Sequence, residues 1–141
     1  MSSASSQEAI QQLSSEYMIL REIAQGLEQR INLLNQVLQE IESSLNTLED
    51  LKRVGDNPLL LFPIGGSVYA KGQLLEKDDV YVNVGAGVIV KKKLEDASRY
   101  LTERRDEMRA ELKDSLAQLQ QVTARIRQIE AILSRATGEQ G

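Results

Sequence analysis

Asn57 to Lys93 reads NPLLLFPIGGSVYAKGQLLEKDDVYVNVGAGVIVKKK and is the one stretch of this chain without a helical pattern. Leu59-Leu60-Leu61-Phe62-Pro63-Ile64 meets Gly65-Gly66, then Ser67-Val68-Tyr69-Ala70-Lys71. After a polar break, Val80-Tyr81-Val82-Asn83-Val84 meets Gly85-Ala86-Gly87, then Val88-Ile89-Val90-Lys91. Four short apolar or β-branched runs joined pairwise by glycine turns predict two β-hairpins in series over 57–91. Alternation puts Val80, Val82 and Val84 on one face, and Val88 and Val90 opposite Ile89 and Lys91. An apolar sheet face needs cover, because two hairpins are marginal in water. Candidate residues for burial against other chains are Leu60, Phe62, Val68, Val80, Val82, Val84, Val88 and Val90.

Outward from the hairpins, both flanks read as long helices. From Ile10 the apolar residues step by three and four: Ile10, Leu13, Tyr17, Leu20, Ala24, Leu27, Ile31, Leu34, Leu38, Ile41, Leu45, Leu48. A seam this regular is a coiled-coil strand. A helix over 6–53 follows, on the order of 70 Å long at the helical rise per residue. Ser5 and Glu8 supply a capping box at its start, after a polar tail; Lys52 and Arg53 suit its C-terminus, where Gly55 and Asn57-Pro58 end it. The second helix, expected over 92–136, has a rougher seam: Leu94, Ser98, Leu101, Arg105, Met108, Leu112, Ser115, Leu119, Val122, Ile126, Ile129, Leu133, Ala136. Ala97 and Leu116, beside the serines, suggest local shifts of register, and Thr137-Gly138 supplies a stop. Two helices of similar length leaving one β region fold back economically on each other. The expected fold is α+β but mainly α: a single domain over 1–141, built as a long antiparallel coiled-coil hairpin with two β-hairpins between its helices. The coil, its seam spent internally, is not expected to cover the valine face. Strands from other subunits closing into a barrel would also remove open edges.

Composition narrows the chemistry. The chain contains no Cys and no His and carries a formal charge of −4, so thiolate, imidazole and the common zinc ligands are excluded. Gly85-Ala86-Gly87 lacks the third glycine and the helix of a dinucleotide fingerprint. Glu76, Asp78 and Asp79 lack calcium-loop spacing and read as a solvated turn. Lys91-Lys92-Lys93 is an isolated basic run, without the interleaved aromatics of a nucleic-acid groove. No enzyme activity, cofactor, metal site or nucleic-acid partner is expected. No apolar run approaches the length of a membrane span and no signal sequence precedes the first helix, so a cytoplasmic location without membrane contact is expected.

The first helix also carries more apolar surface than one partner helix covers. Ile23 and Val37 flank the seam, while Met18 and Ile19 lie outside it. Together, Tyr17, Met18, Ile19, Leu20 and Ile23, facing Ile126, Ile129, Ile132 and Leu133 near an expected frayed end, form a candidate adhesive tip.

The order helix, two hairpins, helix, with Phe62-Pro63-Ile64-Gly65-Gly66, Val68-Tyr69-Ala70-Lys71, Val80 to Val88 and Lys91-Lys92-Lys93-Leu94-Glu95-Asp96-Ala97, resembles the α-class subunits of the prefoldin family, of the archaeal type. The resemblance covers essentially the whole chain. It implies an ATP-independent chaperone, a hexamer of two α with four β subunits, whose hairpins form a double β-barrel bearing six coiled-coil arms. Such assemblies hold unfolded client proteins at the arm tips and pass them to a group II chaperonin. The rival reading is a static coiled-coil scaffold or adaptor that docks a specific folded partner; arms zipped to their ends favour it, and frayed tips favour the chaperone.

Overall fold

The computed structural model describes residues 3–140, with side chains described over 5–138. Met1, Ser2 and Gly141, part of the expected single domain, lie outside the described residues. Helix α1 (Ser3–Arg53) is followed by strands β1 (Leu59–Gly65), β2 (Val68–Gln73), β3 (Asp79–Gly85) and β4 (Val88–Lys93), then helix α2 (Leu94–Gln140). The expected class, two long helices with two antiparallel hairpins between them, is the one observed. The chain divides into two compact units: Met1–Val37 with Met108–Gly141, and Leu38–Glu107.

In the first unit the helices run antiparallel, since Glu16 meets Arg125 and Arg30 meets Glu111. Ile31, Leu34 and Ile129 are buried in its seam, and Ile129 has no exposed surface. Every expected α1 seam residue, from Ile10 to Leu48, is buried or half-buried. Gly26 lies off that seam and exposed, with nothing within 4 Å of where a Cβ would stand. Gly26→Ala is therefore expected to add about 1 kcal/mol of stability, the usual helix-interior difference between the two residues, read as a higher thermal midpoint by circular dichroism.

Element boundaries depart from the sequence reading in three places. Helix α1 begins at Ser3, so Ser5 lies within its first turn instead of capping it; small residues tolerate helix well enough for the seam to carry them along. Helix α2 begins at Leu94, two residues late, because Lys92 and Lys93 complete β4 opposite Val80 and Asp79. It then runs through Thr137-Gly138 to Gln140. The Thr137 hydroxyl donates to the Leu133 carbonyl at 2.8 Å, a bond made within the helix and not at its end.

In the second unit, β1 pairs only with β2 and β3 only with β4. Each turn has two successive residues in the left-handed region, Gly66 (φ 55) with Ser67 (φ 64), and Ala86 (φ 51) with Gly87 (φ 76). This is the requirement of a type I′ hairpin turn. Gly65 and Gly85 precede the turns at φ 129 and 123, where the register slips by one residue; a side chain there would be strained.

One expectation fails in this unit. The helices do cover part of the valine face: Val80 and Val82 pack on a cluster of Leu48, Leu94 and Ala97, joined by Leu51 and Leu101. The reason is on α2. Ala97, only 1% exposed, holds the seam position in place of Ser98, and so small a side chain leaves room for β3. The successive steps of four from Ala97 to Leu101 to Arg105 mark that register shift. No such shift occurs at the other serine, where Ser115 stays buried and Leu116 remains 48% exposed.

Candidate functional site

Two groups of exposed apolar side chains stand out, one in each unit. On the hairpins, Phe62, Val68, Val84, Val88 and Val90 are exposed as the alternation predicts, while Leu60 is half-buried and Val80 and Val82 face the helices. The opposite faces are also apolar. Leu59, Leu61, Tyr69, Tyr81 and Ile89 are each about as open as the valines or more so. Since each hairpin is a sheet of two strands, its outer edges leave backbone N–H and C=O groups unpaired by any strand among the described residues. Apolar faces and open edges together define a surface made for further strands.

At the base of the second hairpin the face of Tyr81 and Ile89 gives way to charge. Asp79 receives Lys93 at 2.8 Å and Lys91 at 3.5 Å, and Glu76 lies 4.0 Å from Lys91. The Lys93 hydrogen bond, aided by the charges of both lysines, holds the Asp79 carboxyl below its ordinary value. Two of the three clustered carboxylates are thus matched by lysines, and among the described residues no group of acidic side chains is arranged to hold a metal. Lys77 donates to the Val54 carbonyl just beyond α1, a cation placed where a helix C-terminus favours one.

On the arm, the nine tip residues divide by depth. Ile129 is fully buried, and Tyr17, Leu20, Ile126 and Leu133 are half-buried in the seam. Met18, Ile19, Ile23 and Ile132 are exposed, at 68, 58, 45 and 39%. Leu33, 61% exposed, belongs with them and is absent from the sequence-derived set. It continues a second line of α1, through Ile19, Ile23, Gly26 and Arg30 to Val37, at steps of four and three that a search for the main seam passes over.

Among the described residues both helices continue past this region, α1 back to Ser3 and α2 on to Gln140. Polar clasps hold them together. Arg125 grips Glu16 with two bonds of 2.8 and 3.0 Å, and the Tyr17 hydroxyl donates to Glu130 at 3.2 Å while accepting from Arg21 at 2.9 Å. The Arg125 hydrogen bond lowers the Glu16 carboxyl pKa. A lowered folded-state value means that the contribution is complete above the ordinary carboxylate range and disappears as pH falls through the folded value. Thermal midpoints should therefore fall as pH drops below about 4.5, the ordinary glutamate value. Glu16→Gln should flatten the part of that dependence due to this clasp, as measured by melts across the acid range. The effect is modest because both partners are well exposed.

Among the described residues no helix is long and apolar enough to cross a membrane. The family model "Prefoldin subunit" matches residues 20–139. A prefoldin subunit alpha from Thermococcus onnurineus is 37% identical over 98 residues, covering 69% of this chain and 67% of that protein. The corresponding Pyrococcus horikoshii subunit is 31% identical over 127 residues, covering 89% and 86%. In structure, the chain is similar to a subunit of a filamentous prefoldin from Methanocaldococcus jannaschii, solved by electron cryomicroscopy, with a TM-score of 0.70 and 21% identity over 83% of this chain and 97% of that one. A match spanning most of α1, both hairpins and nearly all of α2 places this chain in the prefoldin subunit family.

Proposed function

We propose that this chain is an α-class prefoldin subunit acting in an ATP-independent, cytoplasmic chaperone. Its hairpins join strands of partner subunits in a β-barrel, two α with four β chains, and its arms capture unfolded polypeptides for a group II chaperonin. Family membership supports the chaperone role. The observation that carries client capture is the set of apolar side chains outside the seam, Met18, Ile19, Ile23 and Leu33, each at least 45% exposed. Exposed apolar side chains on several arms bind weakly one by one and add through effective concentration, which suits capture without sequence specificity. Of the nine tip residues, Met18, Ile19, Ile23 and Ile132 are assigned to client contact, and Tyr17, Leu20, Ile126, Ile129 and Leu133 to holding the arm together.

The clasped arm end favours the scaffold reading by the criterion of fraying. Fraying is not needed for capture, however, when the apolar side chains already stand outside the seam. Deletion of 1–24 with 126–141 separates the two readings. The shortened complex is expected to assemble, because the α1 seam from Leu27 to Leu48 remains, and to lose protection of two unrelated denatured proteins against aggregation. Wild-type binding to one folded partner, with no protection of either denatured protein, would establish the scaffold instead.

A further inference from the structure

The two hairpins are one backbone unit used twice, twenty positions apart. Leu59 pairs with Gln73 as Asp79 pairs with Lys93, and the register slips between Pro63 and Gly65 as it does between Asn83 and Gly85. The positive-φ runs Gly65-Gly66-Ser67 and Gly85-Ala86-Gly87 coincide. Even the closing bonds match: Leu74 N–H donates to the Pro58 carbonyl at 3.0 Å, and Leu94 N–H to the Asp78 carbonyl at 2.9 Å. A strand adding to an edge reads backbone N–H and C=O groups, which here repeat at the same places except at Pro63, which has no N–H where Asn83 has one. Apart from that one donor, backbone pairing cannot tell the hairpins apart.

Side chains on one face can. The first hairpin carries Leu60, Phe62, Ala70 and Gly72 where the second carries Val80, Val82, Val90 and Lys92. The Phe62 ring lies over Gly72 so closely that a Cβ there would stand 2.5 and 2.8 Å from two ring carbons. Gly72 has no positive φ to explain its presence, since its backbone lies outside that region; the ring does. On the second hairpin this position is Lys92, whose ammonium sits 5.6 Å from the centre of the Tyr100 ring on α2, while Val82 packs on the helices. One face is committed to its own helices. The other is open and carries the only phenylalanine of the chain.

We propose that Phe62 seated on Gly72 is the specificity determinant that lets the strands of another prefoldin-family subunit select the first hairpin over the second. The inference rests on the assembly reading above and assigns it a residue pair. Discrimination of this kind works by misfit: on the wrong hairpin, a neighbour shaped around the ring meets Lys92, Val90 and two valines already packed on their own helices.

The chain has no cysteine, so single reporters are clean. Tyr69→Cys and Ile89→Cys occupy corresponding, exposed positions, and the complex copurified with tagged chain is crosslinked through each thiol and mapped by mass spectrometry. The two reporters are expected to reach different neighbour peptides. With Phe62→Val, Ala70→Val and Gly72→Lys together, the reporter at position 69 is expected to acquire the pattern of the one at position 89, the ratio of the two changing by roughly tenfold. Gly72→Ala, a milder variant that only displaces the ring, is expected to blur the pattern from position 69; adding Phe62→Val removes the clash and is expected not to restore it. Restoration by that pair would reduce Gly72 to a steric role and overturn the inference, as would two distinct patterns unchanged in the triple variant. No crosslink to another chain from either reporter in the unswapped protein would overturn the assembly reading itself, and this inference with it.

Discussion

Leu34→Asp is expected to destabilise the arm by several kcal/mol, whereas Leu33→Asp, one residue away, should change stability by no more than about 0.5 kcal/mol. Leu34 is 7% exposed in the seam and Leu33 is 61% exposed outside it. A carboxylate at position 34 must lose most of its hydration or take up a proton at a cost; at position 33 it stays in water. Thermal and urea melts of the two variants measure the difference. Similar melts would contradict the assignment of the seam on which the whole arm depends. Ile129→Ala, at the residue with no exposed surface, should cost about 2–5 kcal/mol by the same assay, because its removal leaves a cavity.

The second large effect concerns assembly. Val88→Asp with Val90→Asp is expected to lower the yield of the complex by roughly 100-fold or more, since two charges on an apolar contact face each cost a few kcal/mol to dehydrate and every 1.4 kcal/mol is tenfold. Both valines are exposed in the single chain, at 54 and 37%, so its helicity should be unchanged. Val82 is the wrong target for this purpose, because it packs on Leu48, Leu94 and Ala97 of its own chain. Native mass measurement gives the complex and circular dichroism the helicity. Normal assembly of the double variant would remove this hairpin face from the subunit interface.

Periodicity makes much of this legible in the sequence. The α1 seam from Ile10 to Leu48 and the pairing of each hairpin follow from steps of three and four and from glycine turns, both of which are local. What is not legible depends on which neighbour fills a space. The sequence marks both Ala97 and Leu116 as places for a shift of register and cannot choose between them, because alanine satisfies a seam and a surface almost equally well; the burial of Ala97 is decided by β3 packing against it. That same choice places Val80 and Val82 against the helices. At the arm end, composition suggests fraying, but the Glu16–Arg125 and Tyr17–Glu130 contacts join residues far apart in sequence, and only the antiparallel alignment of the helices brings them together. The candidate client surface is half legible. Met18, Ile19, Ile23 and Ile132 stand exposed, yet Ile129 lies in the seam and Leu33 extends the row further from the tip than expected.

Client capture by side chains outside the seam is the central claim. Its most direct measurement is light scattering of a denatured protein diluted into the assembled complex, with Ile19, Ile23 and Leu33 all replaced by serine. None of the three is buried, so melting temperature and assembly should stay near wild type, while the concentration of complex needed for half-protection should rise roughly tenfold. Full protection at the wild-type concentration by a normally assembled triple variant would contradict the account.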